Sequence, residues 1–285
     1  ALWILVANGW MQYPVGMEFD PEQMRNVMTD FWAVAFSPVA VHKFFHTVFS
    51  GWTLAGIFVI GVSCWFLLKK RNRQMALDSI KIGGIVGSVG LLITLWMGDS
   101  SSVDVARVQP MKLAAMEGLY EGSCGAPLTA VGILNPEKSY SNDADPYLWH
   151  ISIPKGLSFL ANHDMDSFVP GINNLVEGYE INACGDTVAT TSYAERIAIG
   201  KRAHEALRAF DRAMAAGDKA AMDSARLVIK ENYKYFGYGY LDSPEEAIPP
   251  VAVTFYSFHI MVIIGGYLVA FLLLVMIAVY KKPSM

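Results

Sequence analysis

The sequence predicts an all-α membrane protein, a transmembrane helix bundle with a large, partly helical extracytoplasmic loop. Hydrophobic residues make up 53% of the chain and charged residues only 17%, whereas a soluble domain carries about 25% charged residues. Residues 44–68, 82–98 and 251–280 contain no Asp, Glu, Lys or Arg. The charged segment 99–250 is far longer than a simple connection needs.

The first 43 residues are predicted to form two elements. Residues 1–12 are apolar, lack the basic start of a signal peptide and are too short to cross a bilayer, which takes about 20 residues. We expect them to be the end of a truncated transmembrane helix in a fragment of a longer protein. Residues 13–43 are expected to form an outer segment with a surface helix.

That surface helix is predicted from its first residues and its apolar spacing. Asp20 suits the N-cap position and Pro21 the first helical position. Apolar residues then recur at helical spacing, at Met24, Met28, Phe31 and Ala35. The helix is expected either on the membrane surface or packed against the protein.

The three uncharged stretches are each predicted to be a transmembrane helix. At 1.5 Å per residue they would measure roughly 38, 26 and 45 Å, against a hydrocarbon core of about 30 Å, so the second needs a few flanking residues. Glycines of the second stretch fall near one face and allow close helix contact. They are Gly83, Gly87 and Gly90.

Charge orients these helices. The connection 69–81 carries five basic residues and one acidic residue, and two lysines begin the tail 281–285. Short basic loops remain in the cytoplasm. Residues 99–250 hold 13 basic and 21 acidic residues, a net charge of −8. We therefore expect 69–81 and 281–285 to be cytoplasmic and 99–250 to be outside.

The two halves of the outer loop differ in their sequence patterns. Residues 121–185 contain scattered Pro and Gly residues and no strong helical or strand periodicity, so irregular structure is expected there. A helical hairpin is expected after it, with a break at Gly217 and Asp218. The apolar stripe expected to be buried consists of Ile199, Ala203, Leu207, Phe210 and Met214, followed by Met222, Ala225 and Ile229.

Two side chains in the predicted helices suggest a metal centre. His46 precedes the cytoplasmic Lys69 by 23 residues and Met261 precedes Lys281 by 20, so their depths differ by about 5 Å. An imidazole and a thioether are axial ligands of low-spin haems. Two alternatives remain open at this point: Met261 packs in the core, and His46 bonds a neighbouring carbonyl. His42 and His259 also compete as ligands.

Four segments, in order, carry a resemblance to a known family. They are ANGWMQYPVG at 7–16, PVAVHKFFHTVFSG at 38–51, GDSSSVDVARVQPMKLAAMEG at 98–118 and FHIMV at 258–262. Together they closely resemble subunit I of the cytochrome bd-type quinol oxidases, least within 121–235. The resemblance implies that the chain holds the end of the family's fourth helix, its fifth and sixth helices, its extracytoplasmic quinol loop and its seventh helix.

The resemblance also implies roles for individual residues. His46 and Met261 correspond to the axial ligands of the low-spin b haem. His259 lies near that haem, at a position where family members often carry arginine. Lys112 and Glu117 correspond to the pair that binds and oxidises quinol. On a straight helix these two lie roughly 140° apart, so both contact one ring only if the segment bends or the ring inserts between them.

The function implied is that of a respiratory quinol:oxygen oxidoreductase in the bacterial cytoplasmic (inner) membrane. Ubiquinol or menaquinol would be oxidised at the outer face, with proton release to the outside, to which Asp99 could contribute. The full protein would also hold a high-spin haem b and a haem d, ligated outside this chain. Its expected partners are subunit II, a small single-helix subunit and membrane lipid.

Two other functions are considered. One is a membrane b-type haem protein that relays electrons without oxygen chemistry, and the other is a receptor that senses ligands with its outer loop. A nucleic-acid partner is not expected, because the chain has a net charge of −4 and binding to nucleic acid needs a basic face.

Three cysteines are too few for a four-cysteine metal site in this chain. Cys124 and Cys184 both fall in the outer loop, on the oxidising side of the predicted topology. They are expected either to form a disulfide or to remain free thiols. Cys64 is expected to be a small packing residue within the membrane.

Overall fold

A computed structural model describes residues 2–181 and 185–281. Its helices are α1 Leu2–Gln12, α2 Phe31–Ala35, α3 Pro38–Leu68, α4 Arg73–Val108, α5 Pro110–Glu117, α6 Gly156–Asn162, α7 Ile172–Glu177, α8 Tyr193–Ala216, α9 Lys219–Asn232 and α10 Val251–Lys281. Two 3₁₀ segments, Tyr233–Tyr240 and Pro244–Ala247, connect α9 to α10.

The strands pair two by two in antiparallel hairpins and ladders. They are β1 Met17–Asp20 with β2 Arg25–Met28, β3 Ser123–Cys124 with β6 Phe168–Val169, β4 Leu128–Leu134 with β5 Tyr147–Ile153, and β7 Tyr179–Ile181 with β8 Thr187–Ala189. The chain divides into two compact units. We call residues 1–13, 35–104 and 257–285 the helical unit, and residues 14–34 and 105–256 the loop unit.

Long apolar helices confirm the predicted fold class. Within the described residues, three segments are long and apolar enough to cross a membrane, namely Phe31–Leu68, Arg73–Val108 and Pro244–Lys281. They contain the three uncharged stretches. Such helices satisfy their backbone hydrogen bonds internally, as a spanning segment must.

In the helical unit, glycines bring α3 and α4 close together. A Cβ atom at Gly56 of α3 would lie 2.5 Å from the carbonyl oxygen of Gly83 and 2.7 Å from Cα of Gly87. A Cβ at Gly90 would lie 2.9 Å from the carbonyl oxygen of Phe49. The glycine face predicted on α4 is therefore a helix contact, in which the lack of side chains lets the two backbones approach closely.

The helical unit also has an apolar core. Ile60, Ile80, Leu91 and Leu272, from α3, α4 and α10, form one buried cluster. The face of α10 that carries Leu272 therefore packs against α3 and α4.

The loop unit contains the helical hairpin that the sequence predicts. The α8 helix ends at Gly217, which has a left-handed backbone with φ of +70°, and Asp218 caps α9 by accepting a hydrogen bond from the N–H of Ala221 at 3.1 Å. The buried face differs in part from the predicted stripe. Phe210 is buried, but Met214 is exposed, because the buried face of α8 runs through Ile197, Gly200, Ala203, Ala206, Phe210 and Ala213.

The predicted surface helix beginning at Asp20 is wrong. Residues 17–28 form the β1–β2 hairpin, and Asp20 caps its turn by accepting hydrogen bonds from the N–H groups of Glu22 and Gln23. Asp favours such turns as strongly as helix N-caps. A tertiary contact stabilises the strand, since Phe19 stacks on Tyr233 with ring centroids 4.1 Å apart.

The prediction of irregular structure at 121–185 is also wrong. This region contains α6, α7 and several short strands, of which β4 and β5 are the longest. Their sequences, LTAVGIL and YLWHISI, are rich in β-branched and aromatic residues, as strands are. The intervening Pro, Ser, Asn and Asp residues supply the turn.

Two alanine substitutions in α3 test the glycine contact. Gly56→Ala places a methyl group against the backbone of α4 and should lower stability by about 1–3 kcal/mol. Gly61→Ala, where nothing lies within 4 Å of the added Cβ, is the matched control and should be neutral or slightly stabilising, since Ala favours helix more than Gly. Thermal unfolding of the purified protein in detergent measures both, and equal effects would contradict the proposed packing.

Candidate functional sites

His46 lies on the face of α3 that contacts α4. Its Nδ1 is 3.0 Å from the backbone carbonyl oxygen of Thr94. A carbonyl oxygen only accepts hydrogen bonds, so Nδ1 is the donor, and in the neutral ring Nε2 keeps its lone pair. Metal-binding histidines are commonly held in this way, with the second nitrogen fixed by a carbonyl. The hydrogen bond to a carbonyl, considered as an alternative to ligation, therefore also prepares His46 to be a ligand.

Met261 lies on the packed side of α10, seven and eleven residues before Leu268 and Leu272. These separations bring the three side chains to one helix face. Leu272 is buried against α3 and α4, whereas Met261 is 51% exposed. Among the described residues the Met261 side chain is therefore not part of that buried cluster.

The chemistry of the two side chains fits a low-spin haem, for which an imidazole and a thioether are suitable axial ligands. The Thr94 carbonyl orients His46, and Met261 is half exposed on α10. Within the described residues, no group of three or more His, Cys, Asp or Glu side chains forms another metal site.

The remaining histidines of the helical unit have other surroundings. His259 is buried, with its ring 5.6 Å from that of Phe258 in an edge contact, and lies roughly 200° around α10 from Met261. His42 Nδ1 lies 2.6 Å from Oδ2 of Asp104. The Nδ1 partner of His42 is thus a carboxylate, whereas that of His46 is a backbone carbonyl.

In the loop unit, Glu117 is the residue with the most unusual environment. It ends α5, is 1% exposed, and among the described residues neither carboxyl oxygen has a hydrogen-bond partner. Burial raises its pKa to about 8. The backbone N–H of Thr129 acts in the opposite direction and lowers the pKa, but burial is the larger effect. The carboxyl group is therefore mostly protonated at pH 7, and the ionised fraction grows as the pH approaches 8.

Glu117 lines a cavity of about 380 Å³, here called the Glu117 cavity. Other polar lining residues are Lys138, Asp143, Asp145, Tyr147 and His150. A partly enclosed cavity with a few converging polar groups is typical of a small-molecule site. A buried carboxyl group with a raised pKa is typical of a functional acid or base.

Tyr147 fixes the end of α5, a role that the sequence did not reveal. Its hydroxyl donates to the backbone carbonyl of Glu117 at 2.5 Å and accepts from Oγ1 of Thr129 at 3.2 Å. Gly118, with φ of +60°, ends the helix, and an added Cβ would lie 3.0 Å from the Tyr147 hydroxyl. The alternating sequence YLWHISI indicates a strand, but nothing in it shows which helix the strand contacts.

Lys112 and Glu117 do not share this cavity. Lys112 is half-buried on another side of the short helix α5, and burial lowers its pKa. It is absent from the described lining of the Glu117 cavity. Both residues belong to the single helix α5, on which a separation of five positions places them roughly 140° apart.

Two further predictions concern Asp99 and the cysteines. Asp99 lies within α4, which continues to Val108, and its contribution to proton release stays a prediction. Cys184 lies outside the described residues, so its pairing with Cys124 stays a prediction. Cys64 is exposed on α3.

Comparison with known proteins identifies the family. The family model described as "Cytochrome bd terminal oxidase subunit I" matches residues 1–284. The chain belongs to this family. Membership in the cytochrome bd subunit I family supports haem chemistry and electron transport as the functional class and confirms the resemblance found in the sequence.

Two relatives illustrate the relationship. The chain is 38% identical over 277 residues to "Cytochrome bd-II ubiquinol oxidase subunit 1" of Escherichia coli K12, covering 97% of this chain and 52% of the relative. It is 34% identical over 206 residues to "Cytochrome bd ubiquinol oxidase subunit 1" of Bacillus subtilis 168, covering 70% of this chain and 42% of the relative. The chain therefore spans about half the length of these cytochrome bd subunits.

A solved structure shares the fold. The bd oxidase from Geobacillus thermodenitrificans matches 99% of this chain and 67% of its own chain, with a TM-score of 0.53 and 19% sequence identity. At this identity the match supports the cytochrome bd fold and says nothing about individual site residues.

The raised pKa of Glu117 predicts a specific pH dependence of stability. In the folded protein the carboxyl group titrates at about 8, whereas its ordinary value is 4.5. The folded state holds the proton more tightly, so its stabilisation is complete below pH 4.5 and is lost as the pH rises through about 8. Between pH 5 and pH 9 the melting temperature of Glu117→Gln should therefore fall less than that of the wild type.

The control is Glu205→Gln, at an exposed position of α8, which should melt like the wild type at every pH. Parallel melting curves for wild type and Glu117→Gln across this range would contradict the raised pKa.

Proposed function

We propose that this chain is part of subunit I of a respiratory cytochrome bd-type quinol oxidase. Quinol is oxidised in the loop unit at the outer face of the membrane, and electrons pass through a low-spin b haem toward an oxygen-reducing site ligated outside this chain. The protons of quinol are released to the outside. In the complete protein the reaction is that of a quinol:oxygen oxidoreductase.

The observation that carries this proposal is the buried, unpartnered carboxyl group of Glu117 in its cavity. Oxidation of a quinol releases two electrons and two protons, so its ring hydroxyls need a proton acceptor. Glu117 in its ionised form accepts one of these protons. The hydrogen bond from Tyr147 to the backbone of Glu117 holds the acceptor in place.

Lys112 is kept as the second quinol-binding residue that the family resemblance implies. Because it lies on another side of α5, it would contact a part of the quinol outside the Glu117 cavity. This assignment is independent of the role of Glu117.

In the helical unit, His46 and Met261 would hold the low-spin b haem. A haem bound there would supply one-electron redox chemistry. His46 would bind through Nε2, with its ring oriented by the Thr94 carbonyl, and Met261 through its thioether, a ligand that raises the reduction potential. His259 is retained as a neighbour of this haem. The high-spin haem b and haem d are assigned to ligands beyond this chain.

The location and partners follow from the same proposal. The protein lies in the bacterial inner membrane, with loops 69–81 and 281–285 in the cytoplasm because they are basic. Its substrate is ubiquinol or menaquinol. Subunit II, a small single-helix subunit and membrane lipid complete the assembly.

Substitution of the proposed ligands tests the haem assignment. His46→Ala and Met261→Leu in the full-length oxidase should each remove the low-spin b haem absorption, because an axial ligand is lost. Met276→Leu, in the same helix but nearer its other end, is the control and should leave the spectrum unchanged. A wild-type reduced-minus-oxidised spectrum in both ligand variants would exclude the assignment.

Substitution of Glu117 tests the quinol assignment. Glu117→Gln should keep the haem spectrum and lower quinol oxidation by roughly a hundredfold, the usual contribution of a general base. In the wild type, kcat/KM for quinol should rise with pH toward about 8, as Glu117 ionises, and the variant should lose this rise. Oxygen uptake with quinol measures both. Wild-type turnover and an unchanged pH profile would refute the role.

A further inference from the structure

A second cavity of the loop unit has a largely apolar lining. It has a volume of about 790 Å³ and is here called the Tyr256 cavity. Ile133, Leu148, Ile248, Val251 and Ala252 contribute apolar surface to it, and Tyr256 an aromatic ring. Both cavities have volumes within the usual range for small-molecule sites, about 300–1,000 Å³.

The Tyr256 cavity adjoins the Glu117 cavity. Tyr120, Lys138 and Pro146 line both of them. The Lys138 ammonium lies over the ring of Tyr120, 5.0 Å from its centroid. The two cavities are therefore direct neighbours that share these side chains.

The apolar cavity is built on the beginning of a membrane-spanning helix. Val251, Ala252 and Tyr256 belong to the first two turns of α10. The backbone N–H of Leu134, at the end of β4, donates to the Tyr256 hydroxyl at 3.0 Å. This bond fixes the β4–β5 hairpin against the start of α10. The cavity is thus formed where an apolar helix begins, in a position suited to an apolar ligand.

We propose that the Tyr256 cavity binds the first isoprenoid units of the quinol tail while the quinol ring occupies the Glu117 cavity. This inference rests on the proposed quinol function and adds a tail-binding site to it. A quinol is a polar ring joined to an apolar chain. The Glu117 cavity has more charged side chains in its lining, whereas the Tyr256 cavity has more aliphatic ones beside its polar residues Asn135, Ser139, Ser141 and Glu245. Burial of the tail carbons would contribute to affinity in proportion to the apolar area removed from water.

Kinetics with two quinols of identical ring test the inference. One carries no tail, the other two isoprene units, and both are assayed in the purified full-length oxidase complex. If the tail binds, the wild-type KM for the tailless quinol should be at least about tenfold higher than that for the quinol with two isoprene units, because burial of a few carbon atoms contributes this much to affinity.

A cavity-filling substitution supplies the specific variant. Ala252→Trp places an indole in the Tyr256 cavity and should bring the ratio of the two KM values close to one. Val253→Trp changes the next residue, which is exposed and outside the described lining, and should retain the wild-type ratio. The reduced-minus-oxidised haem spectrum verifies folding of both variants. A wild-type ratio in Ala252→Trp would overturn the inference.

A direct binding measurement complements the kinetics. A quinone with a photoreactive group on its second isoprene unit should label a peptide containing residues 248–256 in the wild-type complex and not in Ala252→Trp. Labelling confined to other peptides would overturn the inference.

The two proposals fail separately. A normal turnover of Glu117→Gln, combined with loss of the KM ratio in Ala252→Trp, would remove the catalytic role of Glu117 and keep the tail site. A strongly reduced turnover of Glu117→Gln with a wild-type ratio in Ala252→Trp would do the reverse.

Discussion

The main constraint at the candidate site of the loop unit is the burial of a carboxyl group that has no hydrogen-bond partner within the described part of the chain. An ionised carboxylate in such a place is costly, so the group keeps its proton until the pH approaches 8. Glu117 is held there by its position at the end of α5, by the turn at Gly118 and by the hydroxyl of Tyr147. The arrangement places a proton-exchanging group beside a cavity, as the proposed quinol oxidation requires.

The helical unit relies on a different constraint, the close approach of α3 and α4. Gly56, Gly83 and Gly87 allow backbone to pack on backbone. The same pairing of helices brings the ring of His46 to the carbonyl oxygen of Thr94. The glycine contact between α3 and α4 thus helps to orient His46, a candidate haem ligand elsewhere on α3.

Much of this fold could be predicted from the sequence, because apolar length and helical period are local signals. The spanning helices, the glycine face of α4 and the α8–α9 hairpin all follow from such signals. The β1–β2 hairpin could not be predicted, because an Asp followed by Pro suits a turn as well as a helix, and the stacking of Phe19 on Tyr233 decides between them. At the site, sequence motifs identified Glu117, but Tyr147 depends on a contact between distant segments that no local pattern encodes.

The protonation state of Glu117 is the central claim, and infrared difference spectroscopy of the full-length oxidase measures it most directly. The protonated carboxyl band that disappears in Glu117→Gln identifies the group, and its intensity is then followed with pH. We expect this band to titrate with a pKa of about 8. A band that titrates near the ordinary value of 4.5 would contradict it.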